Sequence, residues 1–170
     1  MGLDDVSHDL DSETDAQELL QILSFLRGGD ELKQNLAVAK KIAETLDAAT
    51  LQTTLKQAII AQTIYGIREE DMDPARIIIG EFQDLLGDVL QSPDVQKVAV
   101  DAVRSYLKRG WIKSAVPLVR GFQLPPHVLE QENMQYYARR ALSGCLNTPR
   151  DELIAFAQAL RVPEDFLTSE

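Results

Sequence analysis

Slid along itself, the sequence matches itself at steps of 39, 39 and 38 residues, and this register restricts the fold more than any other feature. Leu46, Leu85, Leu124 and Val162 form one column; Leu51, Leu90, Leu129 and Leu167 form a second. Val38, Ile77, Val116 and Ile154 make a third, Ile22, Ala61, Val100 and Ala138 a fourth, and Phe25, Ile64, Val103 and Ala141 a fifth. All twenty positions are apolar or alanine. A period of this length belongs to arrays whose unit is too small to cover its own apolar face, so neighbours share a core.

Within each unit the apolar spacing is helical. Leu19, Leu20, Ile22, Leu23 and Leu26 mark one stripe, and Val95, Val98, Ala99, Ala102, Val103 and Tyr106 another. Alternation of the strand type never persists, and Ile77-Ile78-Ile79 lies inside a longer helical window. Gly28-Gly29, Gly66, Gly110 and Gly144 follow apolar stripes, where a helix C-terminus favours a residue tolerant of positive φ. Asp73-Pro74 and Thr148-Pro149 read as helix starts, with Thr148 and Asp151 close to a capping box. The expected fold is all-α, with four stacked helical hairpins near residues 14–52, 53–91, 92–130 and 131–170. A compact bundle is the other arrangement open to these helices. Residues 1–14 are expected to be an acidic mobile tail, and 15–170 a single α-helical repeat domain.

The unit length and two-helix layout resemble HEAT or armadillo repeats. Pro117 departs from that pattern, because it falls in the second helix of its unit, whereas in HEAT units a proline marks the first.

Charge narrows the function. The formal net charge is -10, and residues 1–18 hold seven acidic groups and no lysine or arginine. Such a chain gains little from releasing counterions on a phosphate backbone, so nucleic-acid binding is not expected. No apolar run approaches the roughly 18 to 20 residues of a membrane span. Nor does the N-terminal segment carry the basic and then apolar stretch of a signal peptide. Val6 stands where a myristoylation start needs Ser or Thr. Cys145 is the sole cysteine, which excludes an intrachain disulfide. A cytoplasmic protein is the expectation.

Catalytic equipment is sparse. His8 and His127 are the two histidines, and no context pairs His127 with Cys145 as base and nucleophile. Phosphate loops and zinc-ligand spacings are missing from the sequence. Glu69, Asp71 and Asp73 begin like a calcium loop, but Pro74 stands where its turn needs Gly and Gly80 where it needs Glu. No cofactor or metal is expected, and Asp73 is assigned to capping the helix after it.

The candidate partner-binding residues are Lys97, Arg104, Lys108, Trp111, Tyr136, Tyr137, Arg140 and Phe166. Lys97, Arg104 and Lys108 share a helix face at spacings of seven and four, with Asp101 placed to pair with Lys97. Trp111 closes a hairpin by packing, or joins the surface if exposed. Tyr136 and Tyr137 cannot both face one core, so one lies outside. Val162, Phe166 and Leu167 either fold back on the fourth hairpin or leave a patch through which the C-terminal unit forms a homodimer. The functional expectation is a non-enzymatic protein-binding adaptor or regulatory module, its basic stripe being either a solvated outer face or a docking stripe for an acidic segment of a partner or for this chain's own tail. The alternative is a helical-bundle enzyme or accessory subunit with a carboxylate-lined pocket.

Overall fold

The computed structural model describes residues 3–168, with side chains from Asp11 onward. Helix accounts for 76% of it, in ten α-helices, and there is no strand among the described residues. The chain divides into two units, Met1–Val95 and Gln96–Glu170. The first carries 19 acidic and seven basic side chains, a net of -12; the second carries eight and ten, a net of +2.

The first unit holds α1 (Leu3–Ser24), α2 (Leu32–Glu44), α3 (Ala48–Glu69) and α4 (Asp73–Glu81), followed by 3₁₀ turns at Gln83–Leu85 and Val89–Gln91. α1 begins at Leu3, within the acidic segment, whereas no helix-start signal precedes Asp11 in the sequence. α3 packs along α1 and against α4, and α2 packs on α1. Leu19, Leu23 and Leu26 are buried as the stripe requires, with Leu55, Ile59, Ile78 and Phe82. Each such side chain contributes roughly 1.5–3 kcal/mol by leaving water.

Gln62 is fully buried in this apolar setting, and its hydrogen bonds explain how. Nε2 donates to the Leu23 and Leu26 carbonyls at 2.6 and 3.1 Å, and Oε1 accepts from Arg27 Nη1 at 3.0 Å. Carbonyls at a helix C-terminus lack intrahelical donors, so one α3 amide closes the end of α1. The Arg27 guanidinium then lies over the Tyr65 ring, 3.6 Å from its centroid.

Asp47 caps α3, its Oδ1 accepting from the Thr50 N–H at 2.7 Å. This start at Ala48 corrects the expected hairpin boundary at 52/53. Other local expectations also shift. Gly66 does not end α3; Met72 Sδ and the Asp71 carbonyl occupy the space its Cβ would need, and α3 ends at Glu69 with Glu70 as its left-handed cap at φ 61°. Asp73 is the first residue of α4 rather than its cap, and Asp71 Oδ1 accepts the Asp73 N–H at 3.1 Å.

The second unit takes in most of α5 (Pro93–Lys108), then α6 (Ile112–Gly121), α7 (Pro126–Leu129), α8 (Glu132–Ser143), α9 (Arg150–Ala159) and α10 (Asp165–Thr168). α6 packs against α8 and α9, and α7 against α8. Val103, Tyr106, Leu118, Phe122, Met134, Ala138 and Leu160 form the core. α6 and α9 finish alike. Gln123 and Arg161 take φ 52° and 59°, and the next amides, of Leu124 and Val162, reach back to the Val119 and Ala157 carbonyls. Amide side chains close both ends: Gln96 Nε2 donates to the Phe122 carbonyl at 3.4 Å and Gln135 Nε2 to that of Leu160 at 2.9 Å. Pro149 precedes α9, and Thr148 supplies no side-chain cap to it, contrary to the capping-box expectation.

Five of the twenty positions of the expected columns are exposed, Ala61 among them. Phe25 is 73% exposed and Ile64 51%, with Val38 and Leu85 also facing out. The buried positions follow a slightly different register. Leu19, Ile59, Ala99 and Ala138 are all buried, and so are Leu23, Thr63, Val103 and Leu142, at steps of 40, 40 and 39. Leu86, rather than Leu85, is the buried counterpart of Leu46. Each residue turns a helix by about 100°, so a slip of one or two positions moves a side chain off the core face.

Candidate functional site

α5 carries Lys97, Arg104 and Lys108 along one face, as the spacing requires. Their surroundings differ. Lys97 is exposed. Arg104 is half-buried and reaches Asp101 at 3.7 Å, so Asp101 pairs with Arg104 and not with Lys97 as expected. Lys108 lies at the end of α5 with its ammonium 5.0 Å from the centroid of the Tyr137 ring. At that distance the ring's negative face attracts the cation while leaving it in water.

The tyrosine pair divides as its spacing demands. Tyr137 is half-buried beneath Lys108, and Tyr136 is 59% exposed, meeting Tyr137 edge to face at 5.2 Å between centroids. Glu132 and Asn133, one turn earlier on α8, complete a shallow recess of about 550 Å³ with the two rings. Arg140 stands exposed one turn further along α8. Lys108, Tyr136, Tyr137 and Arg140 therefore gather where α5 ends beside α8. Lys97 stands about 16 Å away along α5 at 1.5 Å per residue.

Two other candidates have local roles. Trp111 packs on Tyr106 at 5.6 Å between centroids, with the Arg109 guanidinium 5.3 Å from its ring, and is 39% exposed. It both closes the α5–α6 turn and reaches solvent. Phe166 is half-buried, and Arg139 lies over its ring at 5.6 Å. Val162 is buried in the second unit, and Leu167 is half-buried.

Two of the recesses that escape the sequence reading have an exposed leucine in their lining. One, of about 530 Å³, runs between α2 and α4 of the first unit, with Glu44, Glu81, Asp84 and Leu85 in its lining. The other, of about 490 Å³, lies between the turns at 110–114 and 144–148, next to Leu146, which is 84% exposed. Leu146 had a signal: a leucine in a Gly-Cys-Leu-Asn turn has no helix face to pack. The first recess had none, because it depends on which acids meet across two helices.

Among the described residues, no three His, Cys, Asp or Glu side chains gather as metal ligands would. Cys145 is half-buried and its Sγ donates to the Ala141 carbonyl at 3.3 Å, while His127 is exposed on α7. The Thr50 amide and hydroxyl hold the Asp47 carboxyl below its ordinary value, at a helix cap far from chemistry of this kind. No helix among the described residues is long and apolar enough to cross a membrane. Comparison with protein-family models, curated proteins and solved structures finds no match.

Proposed function

We propose that this chain is a non-enzymatic protein-binding module, and that the face formed by Lys108, Tyr136, Tyr137 and Arg140 receives an acidic segment of its partner. The observation that carries this reading is the Lys108 ammonium over the Tyr137 ring, beside a Tyr136 that is largely in solvent. Tyrosine and arginine are the residue types that concentrate binding energy at protein interfaces. The second unit, at +2, suits an acidic partner.

The scaffold reading that goes with it is a set of four related hairpins of the HEAT or armadillo class. Three features support it. Buried positions recur at Leu19, Ile59, Ala99 and Ala138. Left-handed residues recur at Glu70 and Gly110, and again at Gln123 and Arg161. Gln96 and Gln135, 39 residues apart, close equivalent helix ends.

The enzyme reading draws on the carboxylates of the α2–α4 recess. Glu44, Glu81 and Asp84 are all exposed, and Glu81 pairs with Lys40. Among the described residues, no His, Cys, Ser, Thr or Tyr side chain joins these carboxylates in the lining of the recess to serve as nucleophile or second acid–base group.

The test is affinity capture from a cell lysate on the full chain, compared with a Lys108→Glu, Tyr136→Ser, Arg140→Glu variant and read by quantitative mass spectrometry. All three positions are exposed, so the variant should keep the wild-type circular dichroism and melting temperature. A protein held by the wild type and lost by the variant, rich in acid where it binds, is expected. Identical capture by both chains would overturn the assignment.

A further inference from the structure

The recess in the first unit lies on a different unit from the face just assigned and has the opposite charge. Its floor is apolar, made by Ala43, Leu46, Leu51 and Phe82. Its rim is acidic, with Glu44 on α2, Asp84 in the 3₁₀ turn after α4, and Glu81 at the end of α4. Lys40 is the one base in its lining and is already bridged to Glu81. At about 530 Å³ the volume falls within the ~300–1,000 Å³ of clefts that hold ligands.

Leu85 gives the recess its direction. It is 47% exposed at the edge of the opening, whereas its neighbour Leu86 is buried. Its counterparts in the sequence register, Leu46, Leu124 and Val162, are buried too. Leu86 therefore meets the packing need of this position, and internal packing leaves Leu85 at the surface. An apolar floor, an outward leucine and an acidic rim between two helices match the way an amphipathic segment seats in a groove.

We propose that the α2–α4 groove binds a basic amphipathic segment of another protein. One aliphatic or aromatic side chain enters beside Leu85, and flanking lysines or arginines face Glu44 and Asp84. Charge complementarity selects this occupant, because the groove's unpaired charges are both negative and the unit around it stands at -12. The chain would then carry two docking surfaces of opposite sign, one on each unit.

The experiment is selection of a random peptide display library on the full chain, counter-selected on a Glu44→Lys, Asp84→Lys, Leu85→Asp variant so that only groove-dependent peptides remain. These three side chains are exposed, so the variant is expected to match the wild type in circular dichroism and melting temperature. The surviving peptides should carry lysine or arginine around one apolar anchor. By fluorescence anisotropy they should bind Glu44→Lys, Asp84→Lys at least tenfold more weakly, and Leu85→Ala should weaken them with less change in salt dependence. Enrichment of acidic peptides, or of none, overturns the proposal. So does self-association that Leu85→Asp dissolves and basic peptides fail to inhibit, since the occupant would then be a second copy of this chain.

Discussion

Phe82 in the first unit follows α4 and Phe122 in the second follows α6, and both are buried. What surrounds them differs. The helix end at Phe82 leads to an acidic recess, whereas Gln96 binds the Phe122 carbonyl within a unit whose surface is slightly basic. The closure of helix ends differs as well. In the first unit Gln62, buried on α3, holds the end of α1; in the second, Gln96 and Gln135 hold the turns after α6 and α9. Similar helical pieces thus carry surfaces of opposite sign. The lesson is that the interior sets the scaffold while the unpaired surface charge sets what each unit can recognise.

The largest effects should come from the two phenylalanines. Phe82→Ala and Phe122→Ala each remove a buried ring and should cost about 3–5 kcal/mol in urea unfolding. A loss below about 1 kcal/mol at either position would break the structural equivalence of the two. Next comes the amide latch. Gln62→Leu keeps the volume but leaves the Leu26 carbonyl to Arg27 Nη1 alone, the Leu23 carbonyl to the long bond from the Leu26 N–H, and Arg27 without Oε1, a loss of about 0.5–1.5 kcal/mol. Gln96→Leu should cost less, because its bond is long at 3.4 Å. The reverse order would mean that closure of α1 matters less than closure of α6.

Asp47 adds a pH-dependent difference at the start of α3. The Thr50 backbone amide, and then its hydroxyl, favour the ionised carboxyl and lower its folded pKa. Its stabilising contribution is therefore complete above the ordinary carboxylate range and is lost as pH falls through the lowered value. The gap in melting temperature between wild type and Asp47→Ala should be widest near neutral pH and close as pH falls below the ordinary carboxylate range. A gap that stays constant with pH would refute the cap. The smallest effect belongs to Arg161→Gly. A left-handed conformation costs a non-glycine residue about 1–2 kcal/mol. Relief is offset by glycine's extra unfolded-state freedom and by loss of the exposed Arg161–Glu130 pair at 3.7 Å, so a net change within about 1 kcal/mol is expected. Gln123→Gly should likewise change stability by less than about 1 kcal/mol, and a loss above about 2 kcal/mol at either position would show that its left-handed backbone is not the dominant cost there.

Much of the scaffold is legible in the sequence, because helical spacing reports which face meets a core. The stripes through Leu19, Leu23 and Leu26 and through Val95, Ala99 and Val103 are buried as read. The local ends are less legible. Gly66 looks like a cap and is a close approach to Met72; Asp73 looks like a cap and is the first helical residue. Phe25 was misplaced for an angular reason: two residues past Leu23, it sits about 200° round the helix. At the candidate site, the sequence yields the α5 stripe and an outward tyrosine. It cannot yield Lys108 above Tyr137, since that pairing requires α5 and α8 to come together. The acidic groove was invisible for the same reason.

The most direct measurement of the binding claim is amide chemical-shift mapping on the isotopically labelled full chain, with a synthetic peptide of glutamates and aspartates interleaved with leucines. The account expects saturable shifts at Lys108, Tyr136, Tyr137 and Arg140, diminished by the Lys108→Glu, Tyr136→Ser, Arg140→Glu variant and weakened by salt. Shifts that miss this face, or equal shifts there from a lysine-and-leucine peptide, would contradict it.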